Sequence, residues 1–534
     1  MTTFGIDLGT TYSCIARVDD TGVPVIIPNE AGAEITPSVV HFVSPHRVVV
    51  GDEAKDAAKR DAERVVSLIK RHIGQSGTEL EIDGITHTPE SISALIVRAL
   101  ARGAAAATGE TVRDVVITVP AYFGVAERRA TEQAGEIAGL TVVNVVPEPV
   151  AAALHYGALN EGEDQTILVY DLGGGTFDTT VIRLSGGDVT VVCTDGDHRL
   201  GGADWDERIV AHLRDCFVAE HPDSGAGDSE EFLQEVTLVA EKVKKALSVR
   251  TSYRQTLRFE GRTAAVDVSR ETFEALTADL LDQTVDITGR ALAVADRAGA
   301  GTPDSVLLVG GSTYMPAVAR ALRERFGFDP RLHDPHLAVA KGAAMFALRE
   351  SIRIRLAHER DEPGDAAIRK VARTVGVSET AVRTWKDREI VNVVPRAFGV
   401  GVVARDTEPE EGKREVSHLL LPNDPLPAAP TKQFYTPLSN QTSIRISIWE
   451  QAGPTVSHEL DSNRQIGEGR IERLPPLPKN SPIDITFALD EVGLLTVSAV
   501  ELVTGKAMEH VKVQIGGLDD KRVDELRAAV ARLS

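Results

Sequence analysis

Cysteine is scarce in this chain, and acidic residues outnumber basic ones. Three of the 534 residues are cysteines (Cys14, Cys193 and Cys216), and none lies in a Cys-x-x-Cys pair, so the sequence indicates neither a disulfide framework nor a zinc site. Lys and Arg number 58 against 79 Asp and Glu, a net charge of −21. This excess of negative charge disfavours non-specific binding to nucleic acids and to membrane surfaces.

Long apolar runs are also missing. No stretch forms the continuous run of about 18 apolar residues that indicates a membrane span. The first residues, Met-Thr-Thr-Phe-Gly-Ile-Asp, lead directly into a predicted strand, without the basic and apolar segments of a signal peptide. We therefore expect a cytoplasmic protein without membrane contact, with about three or four domains.

A glycine-rich segment follows a buried apolar run near residue 170. Residues 167–170 predict a strand buried on both faces, and Asp171 ends it. Residues 173–176, Gly-Gly-Gly-Thr, let a phosphate approach the backbone N–H groups and add a hydroxyl donor. Asp171 and Asp178 would repel that anion unless a divalent cation lay between them. The segment predicts a site for a magnesium-bound triphosphate, and a plain glycine-rich hairpin is the alternative.

The same pattern occurs near the N-terminus. Residues 4–13 (Phe-Gly-Ile-Asp-Leu-Gly-Thr-Thr-Tyr-Ser) again place Asp-Leu-Gly and threonine after a strand. Both copies continue with a strand, a turn and a second strand. Two copies of this hairpin predict two similar lobes that face one nucleotide.

Two charged residues outside these loops also suit phosphate chemistry. Lys70 lies near the end of a predicted helix over residues 53–72, where a solvated cation that favours the helix dipole is the alternative. Glu148 stands between two prolines at a strand-to-helix turn, which would hold its carboxylate rigidly enough to orient a water. A plain acid at a helix N-terminus is the alternative for Glu148.

Two later segments indicate a nucleoside site. The predicted helix over 231–248 carries four polar residues on one face, although an ordinary solvated stripe would give the same spacing. These four are Glu241, Lys244, Lys245 and Ser248. After the predicted strand 305–309, Gly310 and Gly311 make a turn against which a flat adenine ring can lie.

Four motifs follow one another along the chain: residues 6–13 (Ile-Asp-Leu-Gly-Thr-Thr-Tyr-Ser), 171–178 (Asp-Leu-Gly-Gly-Gly-Thr-Phe-Asp), 200–202 (Leu-Gly-Gly) and 309–313 (Val-Gly-Gly-Ser-Thr). In this order they resemble the ATPase domain of the seventy-kilodalton heat-shock (DnaK-type) chaperones. The resemblance implies an α/β, actin-like two-lobed ATPase domain over residues 1–350. It also implies ATP and Mg²⁺ as cofactors, and ATP hydrolysis coupled to the binding of unfolded or apolar peptide segments.

The resemblance further implies residue roles. Lys70, Glu148, Asp171 and Thr176 would be catalytic, with Lys70 touching the γ-phosphate and Glu148 positioning the attacking water. Asp7, Asp171 and Asp178 would contribute to the binding of Mg²⁺. The residues implied in nucleotide binding are Gly9, Thr10, Thr11, Tyr12, Gly173, Gly174, Gly175, Gly202, Glu241, Lys244, Lys245, Ser248, Gly310, Gly311 and Ser312.

Four positions depart from the family pattern. Tyr314 stands where an arginine often covers the adenine, and a tyrosine can also stack there. His336 replaces a frequent aspartate, and Pro147 precedes Glu148 where asparagine is usual. Asn144 stands where bacterial relatives carry an arginine that engages the J-domain co-chaperone, which puts ordinary co-chaperone docking in doubt.

Residues 390–517 change in character. Short alternating strands separated by turn residues predict a β-sandwich, and the segment resembles the substrate-binding β-domain of the same family. The resemblance implies an apolar peptide cleft, although each of its residues fits the sandwich core equally well. These residues are Val400, Val403, Phe434, Ile444, Ile446 and Leu474.

The resemblance does not cover residues 351–388, and residues 351–389 predict a helical insertion plus the interdomain linker. Residues 365–385 form a basic helix-turn-helix pattern in which Gly376 breaks the first helix and Ser378 caps the second. Because two helices lack the third that usually completes such a core, and the whole chain is acidic, we favour a hairpin that spaces or docks the domains over DNA binding.

The last residues, 518–534, predict one short helix in place of the family's long helical lid, so we expect weak, fast-exchanging peptide binding. The favoured function is that of an ATP-dependent chaperone, with a co-chaperone or a nucleotide exchange factor as further partners. One alternative is a nucleotide-dependent regulatory scaffold that binds one dedicated partner. The other is an actin-fold sugar or metabolite kinase, which leaves residues 390–515 unexplained.

Overall fold

Two sheets with matching strand order form the first two thirds of the chain. The computed structural model describes residues 2–75, 77–159, 164–359, 364–403, 414–453, 455–491, 493–508, 511–512 and 517–533. Its strands up to residue 159 are β1 Thr3–Asp7, β2 Tyr12–Val18, β3 Pro24–Ile27, β4 Thr36–Pro37, β5 Val40–Ser44, β6 Arg47–Val50, β7 Val65–Val66, β8 Leu80–Ile82, β9 Ile85–His87, β10 Asp114–Val119 and β11 Thr141–Pro147. The helices are α1 Asp52–Ala57, α2 Pro89–Thr108, α3 Val125–Ile137 and α4 Glu148–Leu159.

The next segment, up to residue 359, repeats this organisation. Its strands are β12 Gln165–Leu172, β13 Phe177–Ser185, β14 Asp188–Asp197, β15 Ser252–Phe259, β16 Arg262–Ser269, β17 Ser305–Val309 and β18 Arg331–Leu332. Its helices are α5 Gly202–Glu220, α6 Glu230–Val249, α7 Arg270–Leu276, α8 Ala278–Arg297, α9 Pro316–Phe326 and α10 Ala338–His358.

The first sheet runs in the order β11–β10–β1–β2–β3, and the second in the order β18–β17–β12–β13–β14. In the first sheet the central strand β1 pairs in parallel with β10 and antiparallel with β2. In the second sheet the central strand β12 pairs in parallel with β17 and antiparallel with β13. The repeat predicted from the two glycine loops is therefore present in the topology. Both loops connect the central strand to its antiparallel neighbour.

One apolar core lies between the two sheets. It contains α4 and α10 together with residues of β2, β12 and β13, while separate clusters cover the outer face of each sheet. Beyond residue 359 follow α11 Gly364–Val375, α12 Glu379–Lys386 and β19 Ile390–Val391. Strand β19 pairs in parallel with β14 and extends the second sheet. The predicted end of the ATPase domain at residue 350 falls within α10, which continues to His358.

The remaining strands form two four-stranded sheets around a shared core. They are β20 Phe398–Val403, β21 Arg414–Leu420, β22 Thr431–Tyr435, β23 Ile444–Gln451, β24 Asn463–Ile471, β25 Pro482–Leu489, β26 Leu495–Glu501 and β27 Val511–Lys512. The sheets have the orders β21–β20–β23–β24 and β22–β25–β26–β27. Alternate residues of β20, β23, β25 and β26 point into one core, as the period-2 pattern predicted.

The last helix, α13 Asp520–Arg532, packs on the first sheet's side of the molecule. Its apolar stripe, Val523, Leu526, Val530 and Leu533, joins the core beneath α2. A reciprocal amide pair links Gln133 of α3 to the backbone of Leu518. The prediction of a short amphipathic helix at this place is confirmed.

The predicted helix over residues 53–72 is wrong. Helix α1 ends at Ala57, and the chain then forms a 3₁₀ turn at Ala62–Arg64, the short strand β7 and a second 3₁₀ turn at Ile69–His72. The β-branched pair Val65 and Val66 lies opposite His41 and Val40 of β5, so sheet pairing overrides the helical spacing here.

Helix α2 has the length and apolar composition of a membrane span, and no other helix in the described residues passes that test. However, 67% of its most apolar window is buried inside the fold. The burial explains the composition, because a helix that is apolar on most faces must be covered by other elements.

Candidate active site

The two glycine loops meet at the bottom of a cavity between the sheets. Glycine is required at the contact, because a Cβ added to Gly175 would lie 2.5 Å from the Thr10 side chain, and one added to Gly174 would collide with Thr11. Neighbouring groups fix both loops. Ser13 accepts a hydrogen bond from the Gly9 N–H (3.1 Å), and the Ser312 hydroxyl donates to the Gly173 carbonyl (2.9 Å).

The cavity has a volume of about 330 Å³ and is lined by residues from both halves of the fold. Eighteen of the predicted site residues line it: Asp7, Gly9, Thr10, Thr11, Tyr12, Lys70, Glu148, Asp171, Gly173, Gly174, Thr176, Glu241, Lys244, Lys245, Ser248, Gly310, Gly311 and Ser312. Gly175, Gly202 and Asp178 lie just behind this lining: Gly175 lies against Thr10 and Gly202 against Ser312, and Asp178 pairs with Asp171 across β12 and β13. Polar groups and glycine backbone of this kind suit a phosphorylated ligand.

Lys70 and Glu148 form a buried ion pair in the cavity wall. The Lys70 Nζ lies 2.6 Å from the Glu148 Oε1, and the lysine is only 4% exposed. Lys70 belongs to the 3₁₀ turn Ile69–His72, which follows Leu68 in a left-handed conformation (φ 57°), rather than to the end of an α-helix. The solvated-cation alternative for Lys70 is therefore wrong.

Three aspartates lie beside this pair: Asp171 and Asp178 are buried, and Asp7 is partly buried. Burial first, and then the charge of Glu148, raise the pKa of Asp7 to about 7 and that of Asp178 to about 7. The same two causes raise the pKa of Asp171 well above its usual range, and Lys70 only partly offsets the shift at each carboxyl. The cluster carries more carboxylate than local cations can neutralise, so it favours a bound cation.

The donor set fits magnesium held largely through water. No group of three or more His, Cys, Asp or Glu in the described part of the chain is close enough together to hold an ion directly. Mg²⁺ keeps several waters and usually takes one or two carboxylates plus substrate phosphates. Asp7, which accepts from the Thr118 hydroxyl, and Asp178, which accepts from the N–H groups of Ala121 and Tyr122, are fixed in orientation for that use.

A lysine that sequence reasoning missed lies behind the opposite wall and contacts two lining residues, Glu241 and Tyr12. Lys55 of α1 pairs with Glu241, and the two lysines Lys55 and Lys245 lie 5.1 and 4.7 Å from the centre of the Tyr12 ring. Although burial opposes ionisation, Lys55 and Lys245 lower the pKa of Glu241 to about 2. No sequence motif marks Lys55, because its role depends on α1 reaching α6 across the cavity.

Tyr314 and His336, two departures from the family pattern, stack on each other at the cavity. Their ring centres are 5.2 Å apart at an angle of 29°, and Tyr314 is 44% exposed. Both rings line the same wall as Gly310 and Gly311. The pair gives a flat aromatic surface where the sequence predicted an adenine ring.

Comparison with known proteins gives the family. A family model described as Hsp70 protein matches residues 3–84, 75–350 and 389–532. The chaperone proteins DnaK of two strains of Halobacterium salinarum are each 36% identical to the chain over 532 residues, which is 98% of this chain and 77% of the relative. The chain belongs to the Hsp70 family. The expected family membership is therefore confirmed, and the family model leaves residues 351–388, which contain α11 and α12, unmatched.

Proposed function

We propose that this Hsp70 family member is an ATP-dependent chaperone of the cytoplasm: it hydrolyses ATP and couples hydrolysis to the binding of unfolded or apolar peptide segments. The observation that carries the proposal is the meeting of two matched glycine loops beside the Lys70–Glu148 pair. The shared strand order of the two sheets supports an actin-like, two-lobed ATPase domain over residues 1–350, followed by a β-sandwich peptide-binding domain over 390–517.

The cavity residues fall into groups according to whether they would contact Mg²⁺, the phosphates or the nucleoside. When bound, Mg²⁺ neutralises phosphate charge and acts as a Lewis acid. Asp7, Asp171 and Asp178 would hold it, mainly through waters. The hydroxyl of Thr176 and the backbone N–H groups of the two loops would receive phosphate oxygens, and the remaining predicted binding residues would line the nucleoside.

Lys70 and Glu148 would act on the reacting atoms. The ammonium group of Lys70 is fixed by Glu148, so it can stabilise negative charge that develops on a transferring phosphoryl group. The Glu148 carboxylate, together with Asp171, would orient the attacking water. This division of work needs positioning and electrostatic stabilisation but no covalent intermediate on the protein.

A charged network between α3 and the sandwich supports coupling to a peptide site. Arg396 lies between Glu127 and Glu450, and Arg464 pairs with Glu450 at 2.7 Å. The Arg396 guanidinium also lies 4.9 Å from the centre of the Tyr122 ring. The Tyr122 N–H donates a hydrogen bond to Asp178, one of the three aspartates that would hold Mg²⁺. A movement of Asp178 would therefore be passed to Arg396 and the sandwich through Tyr122.

The predicted peptide residues divide into two sets. Four of them, Val400, Ile444, Ile446 and Leu474, are at most 7% exposed and share the sandwich core. Val403 and Phe434 are partly exposed. We propose that a peptide meets these two first and reaches the buried four only when the sandwich opens.

Steady-state ATP hydrolysis with a panel of unrelated apolar peptides tests the function. We expect magnesium-dependent hydrolysis that several of these peptides stimulate, in the presence or absence of a J-domain co-chaperone or a nucleotide exchange factor. Hydrolysis that responds to no peptide of the panel would contradict the chaperone proposal while leaving the ATPase site intact.

A further inference from the structure

A three-helix unit lies outside the part of the chain that the family model matches. Helices α11 and α12 pack on the C-terminal half of α10, and the three share one apolar cluster. Its members are Ile352, Ile368, Val371, Ala372, Val375, Val382 and Trp385, all at most 8% exposed. The sequence pattern lacked the third helix that usually completes a helix-turn-helix core. In the structure α10 supplies that helix.

The turn between α11 and α12 has the features of that motif. Gly376 ends α11 in a left-handed conformation (φ 80°), and the N–H groups of Gly376 and Val377 both donate to the Ala372 carbonyl. Ser378 then caps α12 by accepting from the Ala381 N–H at 3.1 Å. The turn fixes the direction in which α12 leaves α11.

The second helix is anchored by one side and exposed on the other. Val382 and Trp385 face α10, the Arg388 guanidinium lies 4.3 Å from the centre of the Trp385 ring, and Arg349 of α10 donates to the Arg388 carbonyl. On the opposite side Thr380, Arg383 and Thr384 are exposed. Residues three and four positions apart share a helix face, so these side chains form one polar surface.

The exposed surface is basic although the chain is acidic. Residues 364–388 contain six Lys and Arg against three Asp and Glu, whereas the whole chain carries −21. Arg369 and Arg373 of α11 and Lys386 of α12 are also exposed. Arg383 pairs with Asp365 at 2.7 Å, but an ion pair this exposed contributes little and can exchange for another anion.

We propose that α10, α11 and α12 form a DNA-binding helix-turn-helix that places α12 in the major groove of a duplex. Arg383 and the two threonines would contact base edges, and the cations of α11 would contact phosphates. A hairpin that only spaces two domains needs its buried face but has no need of a basic surface. Contact of this kind with a duplex would not require bound ATP.

Selection from a duplex library tests this inference on the full chain. The probe is a pool of duplexes of about 40 base pairs with a randomised centre, which leaves room for more than one half-site. Bound duplexes are recovered and sequenced over several rounds, and affinity for the enriched sequence is measured between about 50 and 200 mM salt. We expect a short common sequence and an affinity that falls as salt rises.

Three variants separate base contacts from general charge. Arg383→Ala should weaken binding to the enriched duplex on the order of tenfold, and Arg383→Lys should keep affinity for random duplex but lose the sequence preference. Arg254→Ala, which removes another exposed and ion-paired arginine on the β15–β16 hairpin, should bind as the unchanged chain does. Circular dichroism of each variant checks that its helices are retained.

Two results would overturn the proposal. One is a selection that enriches no sequence over the starting pool. The other is equal loss, or no loss, of binding in Arg383→Ala and Arg254→Ala.

Discussion

The nucleotide cavity and the β-sandwich differ in how much of each predicted site is accessible. In the cavity, residues from β1, α6 and the turn after β17, far apart in the sequence, line one open space. In the sandwich, Val400, Ile444 and Ile446 are predicted peptide contacts, yet they pack against one another in the core. The cavity is open in this conformation, whereas the predicted peptide cleft is closed.

The difference follows from what each pattern constrains. A glycine that admits no Cβ, such as Gly174 against Thr11, specifies a backbone approach and therefore a location. An alternating strand such as β23 specifies only which residues share a face. An apolar face can line a core or a cleft, and only the packing of the second sheet decides between them.

The largest effect should come from removing the cation of the cavity. Lys70→Ala should reduce the rate of ATP hydrolysis by about 100-fold or more, because a preorganised positive group would be lost where charge develops. A single-turnover assay measures this rate. Lys59→Ala, which removes an exposed lysine paired with Asp56, should leave it unchanged. Equal rates for the two variants would show that Lys70 takes no part in ATP hydrolysis.

A core substitution in the sandwich asks whether its cleft is closed in solution. Ile446→Ala should lower the free energy of unfolding by about 2–5 kcal/mol, because Ile446 is 4% exposed and its truncation leaves a cavity. Urea denaturation monitored on the sandwich measures the loss. The partly exposed Val403, changed to alanine, should cost less than about 1 kcal/mol. Weaker peptide binding by Ile446→Ala with unchanged stability would instead indicate an open cleft.

The aromatic pair at the cavity should matter less than the cation. Tyr314→Ala should weaken nucleotide binding about tenfold, since stacking of a base on an aromatic ring contributes about 1–3 kcal/mol. Equilibrium titration with a fluorescent ATP analogue gives the affinity. Tyr435→Ala, at an exposed tyrosine of the sandwich, is the matched control. Unchanged affinity in Tyr314→Ala would exclude the adenine from this surface.

The smallest expected effect is a pH dependence specific to the cavity. The pKa of Asp178 is raised to about 7 in the folded protein. At a pH between the ordinary carboxyl pKa and 7, Asp178 is therefore protonated in the folded protein but ionised in the unfolded chain. The stability that Asp178 contributes should therefore fall as pH rises through about 7. Without nucleotide, the melting temperature of the unchanged chain minus that of Asp178→Asn should decrease by a few degrees from pH 5 to pH 8. A difference independent of pH would contradict the raised pKa.

Local patterns predicted the repeat of the two sheets, the glycine loops and most helices. They missed what depends on distant neighbours. Residues 53–72 have helical spacing, but Val65 and Val66 pair with β5 instead. Lys55 reaches Glu241 only because α1 faces α6, and the stacking of Tyr314 on His336 joins two separate loops. Likewise, α10 completes the three-helix unit although its sequence gives no sign of that contact.

Calorimetric titration with ATP in the presence of Mg²⁺ measures whether the two glycine loops together hold one nucleotide. We expect saturable binding of one ATP per chain, and strong loss of binding in Gly174→Val, whose side chain would enter the space of Thr11. Gly364→Val at the exposed start of α11, where an added Cβ meets no atom and the backbone is not left-handed, should retain binding. Absence of saturable binding by the unchanged chain, or equal binding by both variants, would show that the two loops do not form the nucleotide site.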